Sequence, residues 1–170
     1  MVADEKWLAS IEEEALLLAR LVEDLQQLSL AEAGQLRLEL AEVEVAELVE
    51  RAITGLAFPG LTRDVPAGLV VCVDARRMVQ VLRNLLVNAI AHASHTVHVS
   101  ASGNEIRVAD DGPGVPPEHV ERIFDRFYRA DASRSRTTGG AGLGLAIAKE
   151  LVELHGGTIR YEKPAFIISL

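Results

Sequence analysis

Hydrophobic and polar positions alternate along the chain with two different periods, which predicts a mixture of helices and strands. Apolar residues spaced three and four apart are typical of helices, whereas short apolar runs or alternation at every second position are typical of strands. The helical spacing covers residues 7–28, 43–56, 75–92 and 145–154, with a short helix expected after Pro116-Pro117. The strand pattern covers residues 61–65, 69–73, 96–101, 105–110, 158–162 and 165–170.

Turn and cap residues indicate how these elements are connected, and so predict the fold. Asp74 stands directly before the helix at 75–92 and is its predicted N-cap. Gly103-Asn104 between two alternating segments predicts a two-residue hairpin turn, and the last two strands form a second hairpin. Hairpins require antiparallel pairing, and helices are interspersed with the strands. The predicted fold is therefore α+β, a two-layer α/β sandwich with a mixed sheet on one side and helices on the other.

The first predicted helix, called α1 and covering residues 7–28, carries an apolar stripe of its own. Its members alternate three and four positions apart, as in the seam of a coiled coil or helix bundle. We call these residues the α1 seam: Leu8, Ile11, Ala15, Leu18, Val22 and Leu25. Two hypotheses fit this pattern: a helix that packs on its own domain, and a helix that pairs with another helix, including the possibility of a dimer.

Glycines are concentrated just before the last helix. Gly139, Gly140, Gly142 and Gly144 supply four of six consecutive positions. Glycine lets the backbone approach a ligand closely, and a helix N-terminus offers free N–H groups and a positive dipole end. The segment therefore suits a phosphate, although an ordinary loop has the same composition. No Lys-Ser or Lys-Thr follows, which excludes a Walker loop, and the polar stretch before it argues against a Rossmann turn.

Two further segments carry candidate chemistry. Asp110 ends a predicted strand and is followed by Gly112 and Gly114. Its carboxylate could accept a hydrogen bond from an exocyclic amine, such as that of adenine. A plain Asp-Gly turn is the simpler alternative. Asn84, Asn88 and His92 lie four residues apart and form one polar stripe on an otherwise apolar helix. An amide oxygen in such a stripe suits Mg²⁺ held jointly with nucleotide phosphates, whereas a single surface Asn is usually only solvated.

Taken together, these segments resemble the ATP-binding domain of sensor histidine kinases, within the wider family of gyrase, Hsp90, histidine-kinase and MutL ATPases. Residues 84–89 match the N box, residues 110–114 the first glycine box, residues 123–128 the F box and residues 140–145 the second glycine box. Four ordered motifs at family-like spacing are a specific signal. Ala91 stands where the N box often has Lys or Arg, which removes one possible phosphate contact.

The resemblance implies a Bergerat-type ATP-binding fold in residues 41–170, preceded by a long N-terminal helix and linker in residues 1–40. It implies ATP and Mg²⁺ as ligands, with Asp110 binding adenine and Asn88 holding the metal ion. The remaining nucleotide-binding residues that it implies are Asn84, His92, Gly112, Gly114, Val115, Arg134, Arg136, Gly140, Gly142, Leu143 and Gly144. It leaves the catalytic base unknown.

Residues 21–34 resemble the second helix of a kinase dimerisation domain and its exit, which favours the histidine-kinase branch. In that branch a preceding helix carries the phospho-accepting His, followed by an acidic residue. None of the five histidines here is followed by Asp or Glu. We therefore expect the acceptor His on a separate dimerisation or phosphotransfer protein or domain, with a response regulator downstream.

Composition narrows the class of protein. The net charge of −8 argues against nucleic acid as a partner, and Arg126, Arg129, Arg134 and Arg136 locally reverse that sign beside the glycine segment. The mean hydropathy of +0.18 and the absence of a long apolar run predict no direct membrane contact and a cytoplasmic location, with a parent protein that could be membrane-anchored. Cys72, the single cysteine, is expected to be buried in its strand.

Several functional hypotheses stay open. The chain could be the catalytic fragment of a receptor kinase or a natural split kinase that phosphorylates a separate protein; the Met1 start without tag-like residues leaves these two about equal. The first alternative is a non-catalytic module that binds ATP or sequesters a partner. The second is a serine kinase of the anti-sigma-factor type, which the dimerisation-like helix disfavours.

Overall fold

The computed structural model describes residues 2–130 and 141–170. Within these residues the helices are α1 (Val2–Glu32), α2 (Val45–Ile53), α3 (Ala75–His92), α4 (Pro117–Val120) and α5 (Gly144–Leu154). The strands are β1 (Ala41–Glu44), β2 (Leu61–Asp64), β3 (Val70–Val73), β4 (Val97–Ser102), β5 (Glu105–Asp110), β6 (Thr158–Glu162) and β7 (Ala165–Ser169). No helix in these two stretches is both long enough and apolar enough to cross a membrane.

Five strands form the main sheet in the order β2-β4-β5-β7-β6. β2 pairs with β4 in parallel, and the other neighbours are antiparallel, so the sheet is mixed as predicted. The hairpin between β4 and β5 turns at Gly103-Asn104, where Ser102 pairs with Glu105. This confirms the predicted α+β architecture and places the end of β5, with Asp110, beside the start of β4.

The helices form the second layer. α3 lies against β4 and β5, and α5 lies against α3 and β6. In β4 every second residue is buried, beginning at Val97, because one face of the strand meets the helices and the other faces outward. The core joins the two layers through fully buried side chains, among them Leu82, Leu85, Leu86, Ile106, Ile147, Leu151, Phe166 and Ile168.

Asp74 confirms its predicted role as the N-cap of α3 and has further contacts. Its carboxylate accepts hydrogen bonds from the backbone N–H of Arg77 and from that of Glu39, both at 3.1 Å. Its own N–H donates to Nε2 of His155 at 3.0 Å, while Nδ1 of His155 lies 2.7 Å from the carbonyl oxygen of Leu151. The start of α3, the end of α5 and the segment after α1 therefore meet at one buried residue, Asp74.

β1 and β3 form a second, two-stranded sheet, and two predictions in this region were wrong. The expected helix at 43–56 begins only at Val45, because Ala41–Glu44 pairs antiparallel with β3 as strand β1. Cys72, expected to be buried, is exposed. Successive residues of a strand face opposite sides, and in β3 the buried position is Val73, which turns Cys72 outward.

The two ends of α1 have different surroundings. Near its C-terminal end Leu28 and Ala31 are buried, and the Gln27 and Gln80 side-chain amides exchange two hydrogen bonds of 2.9 and 2.8 Å with each other. The α1 seam, in contrast, is exposed. The exposed fractions are 65% for Leu8, 61% for Ile11, 60% for Leu18, 54% for Val22 and 44% for Leu25.

Candidate functional site

The candidate site begins where α3 meets the start of α5. Asn84 lies in the middle of α3, and its side-chain Nδ2 donates a 2.9 Å hydrogen bond to the carbonyl oxygen of Gly144. A Cβ added at Gly144 would lie 3.7 Å from Cγ of Asn84, which is an ordinary van der Waals contact with that side chain. Two motifs that are sixty residues apart in the sequence are therefore joined directly.

The first glycine box lies at the C-terminal end of α3. Oδ1 of Asp110 accepts a hydrogen bond from the N–H of Gly112 at 2.9 Å, and no other described residue hydrogen-bonds this carboxylate. A Cβ at Gly112 would lie 2.3 Å from the carbonyl oxygen of His92 and 2.6 Å from Oδ1 of Asp110. Glycine is therefore required at this position, and it leaves the half-buried Asp110 with a second oxygen available to a ligand.

Gly114 and Val115 continue this loop toward β6. Gly114 has φ of +72°, a conformation that side chains rarely adopt. The N–H of Val115 donates a 3.1 Å hydrogen bond to Oη of Tyr161. Tyr161 was not identified from the sequence, because it lies forty-six residues away and belongs to no motif.

Asn88 and His92 follow Asn84 on α3, at successive turns. Asn88 is half-buried, and in the described part of the chain no residue hydrogen-bonds its side chain. The side chain of His92, at the last residue of the helix, is exposed. The structure therefore brings Asn84 into contact with the second glycine box, whereas no described residue hydrogen-bonds the side chain of Asn88 or of His92.

The amide of Asn88 fits a magnesium ion that is shared with nucleotide phosphates. Mg²⁺ prefers oxygen ligands and usually takes only one or two from the protein when phosphates supply others. Among the described residues no group of three or more His, Cys, Asp or Glu side chains could hold a metal ion by itself. Asn88 offers a single carboxamide oxygen one helical turn before His92, whose carbonyl oxygen lies against Gly112, and this agrees with that shared arrangement.

The second glycine box leads into α5. Gly142 has φ of +74°, and a Cβ there would lie 3.0 Å from backbone atoms of Phe127 and Tyr128. Its carbonyl oxygen accepts a 3.0 Å hydrogen bond from the N–H of Phe127, which ties this glycine to the F box. Leu143 is the N-cap of α5 and gives no side-chain hydrogen bond to the helix start. The first N–H groups of α5 are thus left to another acceptor, and phosphate is such an acceptor.

Three predicted residues cannot be placed. Arg134, Arg136 and Gly140 lie outside the described residues. The other two arginines near the glycine segment, Arg126 and Arg129, are exposed.

A second carboxylate, Asp111, supports the site from outside. It accepts hydrogen bonds from the N–H groups of His95, at 2.9 and 3.0 Å, and Ser94, at 2.8 Å. Hydrogen bonds from the backbone N–H groups of His95 and Thr96, with a further one from Ser94, lower the pKa of Asp111 to about 2. Asp111 therefore stays ionised and fixes the turn after α3 against the first glycine box.

Comparison with known proteins agrees with this geometry. Residues 73–169 match the family described as histidine kinase-, DNA gyrase B- and HSP90-like ATPase. The chain is 40% identical over 147 residues to the signal transduction histidine-protein kinase AfsQ2 of Streptomyces coelicolor, covering 84% of this chain and 27% of AfsQ2. It is 36% identical over 165 residues to the signal transduction histidine-protein kinase BaeS of Escherichia coli, covering 89% of this chain and 35% of BaeS.

Solved structures give the same result. The histidine kinase AdeS of Acinetobacter baumannii matches with a TM-score of 0.77 and 28% identity, covering 96% of this chain and 82% of that one. Full-length ShkA in complex with AMPPNP matches with a TM-score of 0.78 and 28% identity, covering 97% of this chain and 37% of ShkA. The chain spans about a quarter to a third of the length of the curated relatives AfsQ2 and BaeS. It belongs to the histidine kinase-, DNA gyrase B- and HSP90-like ATPase family, and within it to the ATP-binding catalytic domains of histidine kinases.

Proposed function

We propose that this chain binds Mg-ATP between α3, the loop after β5 and the start of α5, and transfers the γ-phosphoryl group to a histidine outside these 170 residues. The acceptor would lie on another polypeptide or on a further segment of a longer kinase. The observation that carries the proposal is the hydrogen bond from Asn84 to Gly144, because it unites the N box and the second glycine box around one space.

Adenine recognition would fall to Asp110. One of its oxygens is occupied by the N–H of Gly112, so the other is positioned to accept a hydrogen bond from the exocyclic amine of adenine. Gly112, Gly114 and Val115 would line the base, since the loop they form is held close to α3 by the missing side chain of Gly112.

The phosphates would lie along α3 and at the N-terminus of α5. Asn88 would contribute its amide oxygen to Mg²⁺, which when bound neutralises charge on the phosphates. Asn84 and His92 would support the phosphates or the ribose, and the N–H groups of Gly142, Leu143 and Gly144 would receive phosphate oxygens. Arg134, Arg136 and Gly140 would complete the clamp. In phosphoryl transfer the protein mainly positions the reactants and stabilises charge, which this set of residues can do.

The partner would dock on the α1 seam. Residues 1–40 would act as the second helix of a dimerisation domain and its linker, and residues 41–170 as the catalytic domain. An exposed apolar stripe favours burial against another helix, and the same surface could pair two copies of this chain. The helix with the acceptor His would supply the missing surface, and a response regulator would receive the phosphoryl group afterwards in the cytoplasm.

Labelling with radioactive ATP tests this proposal. Incubated alone, the chain is expected to give no acid-labile, base-stable phosphohistidine, because none of its five histidines has an acidic neighbour after it. Mixed with a cognate protein that carries the acceptor helix, it should label that protein. Stoichiometric self-labelling at His92, His95, His98, His119 or His155 would contradict the proposal that the acceptor lies outside this chain. Acid-stable, base-labile labelling restricted to a partner serine would instead favour the serine-kinase alternative.

A further inference from the structure

We propose that Tyr161 is a positioning residue of the nucleotide site, acting through the loop that follows Asp110. The inference rests on the proposed nucleotide binding and adds a residue that belongs to none of the four motifs. Its phenol group contacts two consecutive members of the loop, Gly114 and Val115, from the side of β6.

The contact is direct and specific. The N–H of Val115 donates to Oη of Tyr161 at 3.1 Å. A Cβ built on Gly114 would lie 2.8 Å from the same Oη and 2.9 Å from Cε of Lys163, so the phenol and the lysine chain fill the space beside this glycine. The hydroxyl therefore holds the loop against β6, and together with the lysine chain it leaves little room for a side chain at Gly114.

The phenol oxygen has a defined position because its ring is anchored in the core. The ring of Tyr161 lies 5.0 Å from that of Phe166, measured between centroids and tilted by 60°. Phe166 is 1% exposed and makes an edge-to-face contact with Phe124 at 6.1 Å. Phe124 belongs to the F box, so one aromatic cluster joins the F box to the first glycine box, with the Tyr161 hydroxyl as its polar end.

The loop needs such an anchor. Its first half is fixed by Asp110, which accepts from the N–H of Gly112. Its second half contains Gly114, whose backbone has no side chain to restrict it, and it is joined to β6 by the bond from Val115 to Tyr161. Without the hydroxyl, the loop beside the proposed adenine acceptor would visit more conformations, and a nucleotide would have to restrict them upon binding.

The test compares Tyr161→Phe with the unaltered chain. This variant keeps the ring on Phe166 and removes only the oxygen. Thr158→Val is the matched control, because it removes a hydroxyl from an exposed position at the other end of β6. ADP affinity is measured by titration calorimetry, thermal stability by calorimetric unfolding, and hydrogen exchange at individual amides by NMR.

We expect Tyr161→Phe to weaken ADP binding by about three- to tenfold, as for the loss of one hydrogen bond, with faster exchange at the Val115 amide and a nearly unchanged unfolding temperature. Thr158→Val should match the unaltered chain in all three. Unchanged ADP affinity in Tyr161→Phe would overturn the inference, even if the Val115 amide exchanged faster. So would exchange that rises throughout the sheet together with a lower unfolding temperature, because the hydroxyl would then serve general stability. If the unaltered chain bound no ADP, the proposed function and this inference would both fall.

Discussion

The carboxylate of Asp111 lies 2.9 Å from the backbone nitrogen of His95, across the turn that joins α3 to β4. The carboxylate of its neighbour Asp110 accepts instead from the N–H of Gly112, so two adjacent carboxylates have different partners. Asp111 fixes the turn after α3, and Asp110 is the residue that we propose for adenine. Successive side chains of an extended chain point to opposite sides, which separates the two carboxylates.

Asp111 should therefore contribute stability that depends on pH. Its pKa is about 2 in the folded chain and 3.8 for an ordinary Asp, so the stabilisation is fully present above pH 4 and is lost as pH falls toward 2. Asp111→Asn should unfold at a lower urea concentration than the unaltered chain at pH 7, and the gap should narrow between pH 4 and pH 3. Urea titrations followed by circular dichroism measure this. A gap that is constant down to pH 3 would show that the charge of Asp111 is not responsible.

Asp110→Asn should greatly weaken ADP and ATP binding and leave the fold intact. The amide oxygen of the new side chain can still accept from the N–H of Gly112, which turns its NH₂ group toward the adenine amine. Two donors then face each other, at a typical cost of about 1–3 kcal/mol. Titration calorimetry on folded protein checks this, with Asp64→Asn, at an exposed position of β2, as the control for loss of one charge. Unchanged affinity would contradict the assignment of Asp110 to adenine binding.

Asn88→Ala should separate metal binding from base binding. The variant should lose the part of ATP affinity that depends on Mg²⁺, about tenfold for the loss of one ligand, while metal-free ADP binding persists in part. Asn88→Asp keeps an oxygen ligand and should retain the response to Mg²⁺. Affinities measured with Mg²⁺ and with a chelator decide the matter. An equal loss under both conditions would contradict the assignment of Asn88 to the metal ion.

A charge in the α1 seam should block transfer to the partner without affecting the nucleotide. Leu18→Glu places a carboxylate in the middle of the proposed docking stripe, and labelling of a cognate acceptor protein should fall by at least tenfold, because an unpaired charge would be buried. Leu16→Glu makes the same change at an exposed position outside the seam. ATP affinity should be normal in both variants. Equal labelling by the two variants would mean that the partner docks elsewhere.

Local signals in the sequence predicted most of the fold, and contacts between distant residues account for the rest. The helical spacing around Leu82 and Leu85, the Asp74 cap and the Gly103-Asn104 turn each depend on a few neighbouring residues, and the structure confirms them. β1 was missed because it runs directly into α2 without a turn signal, and its strand pairing comes from β3.

The candidate site shows the same division. The motif residues Asn84 and Gly144 could be predicted, and the structure joins them by a hydrogen bond. The contacts of Asp111 with the turn after α3 and of Tyr161 with Val115 could not, because they depend on how β4, β5 and β6 are arranged in the sheet. A role that arises from tertiary packing cannot be predicted from the spacing of residues along the sequence.

The position of β7 affects how the chain folds while it is being synthesised. β7 follows all the other strands along the chain, yet it lies inside the main sheet, between β5 and β6. While the ribosome is still adding the residues of Ala165–Ser169, β5 therefore has an unpaired edge, and Phe166 has not yet reached the core. A chain that ends before Ala165 lacks the partner that β5 and β6 share in the main sheet. Its unpaired strand edges would favour aggregation, so premature termination should yield an aggregation-prone polypeptide.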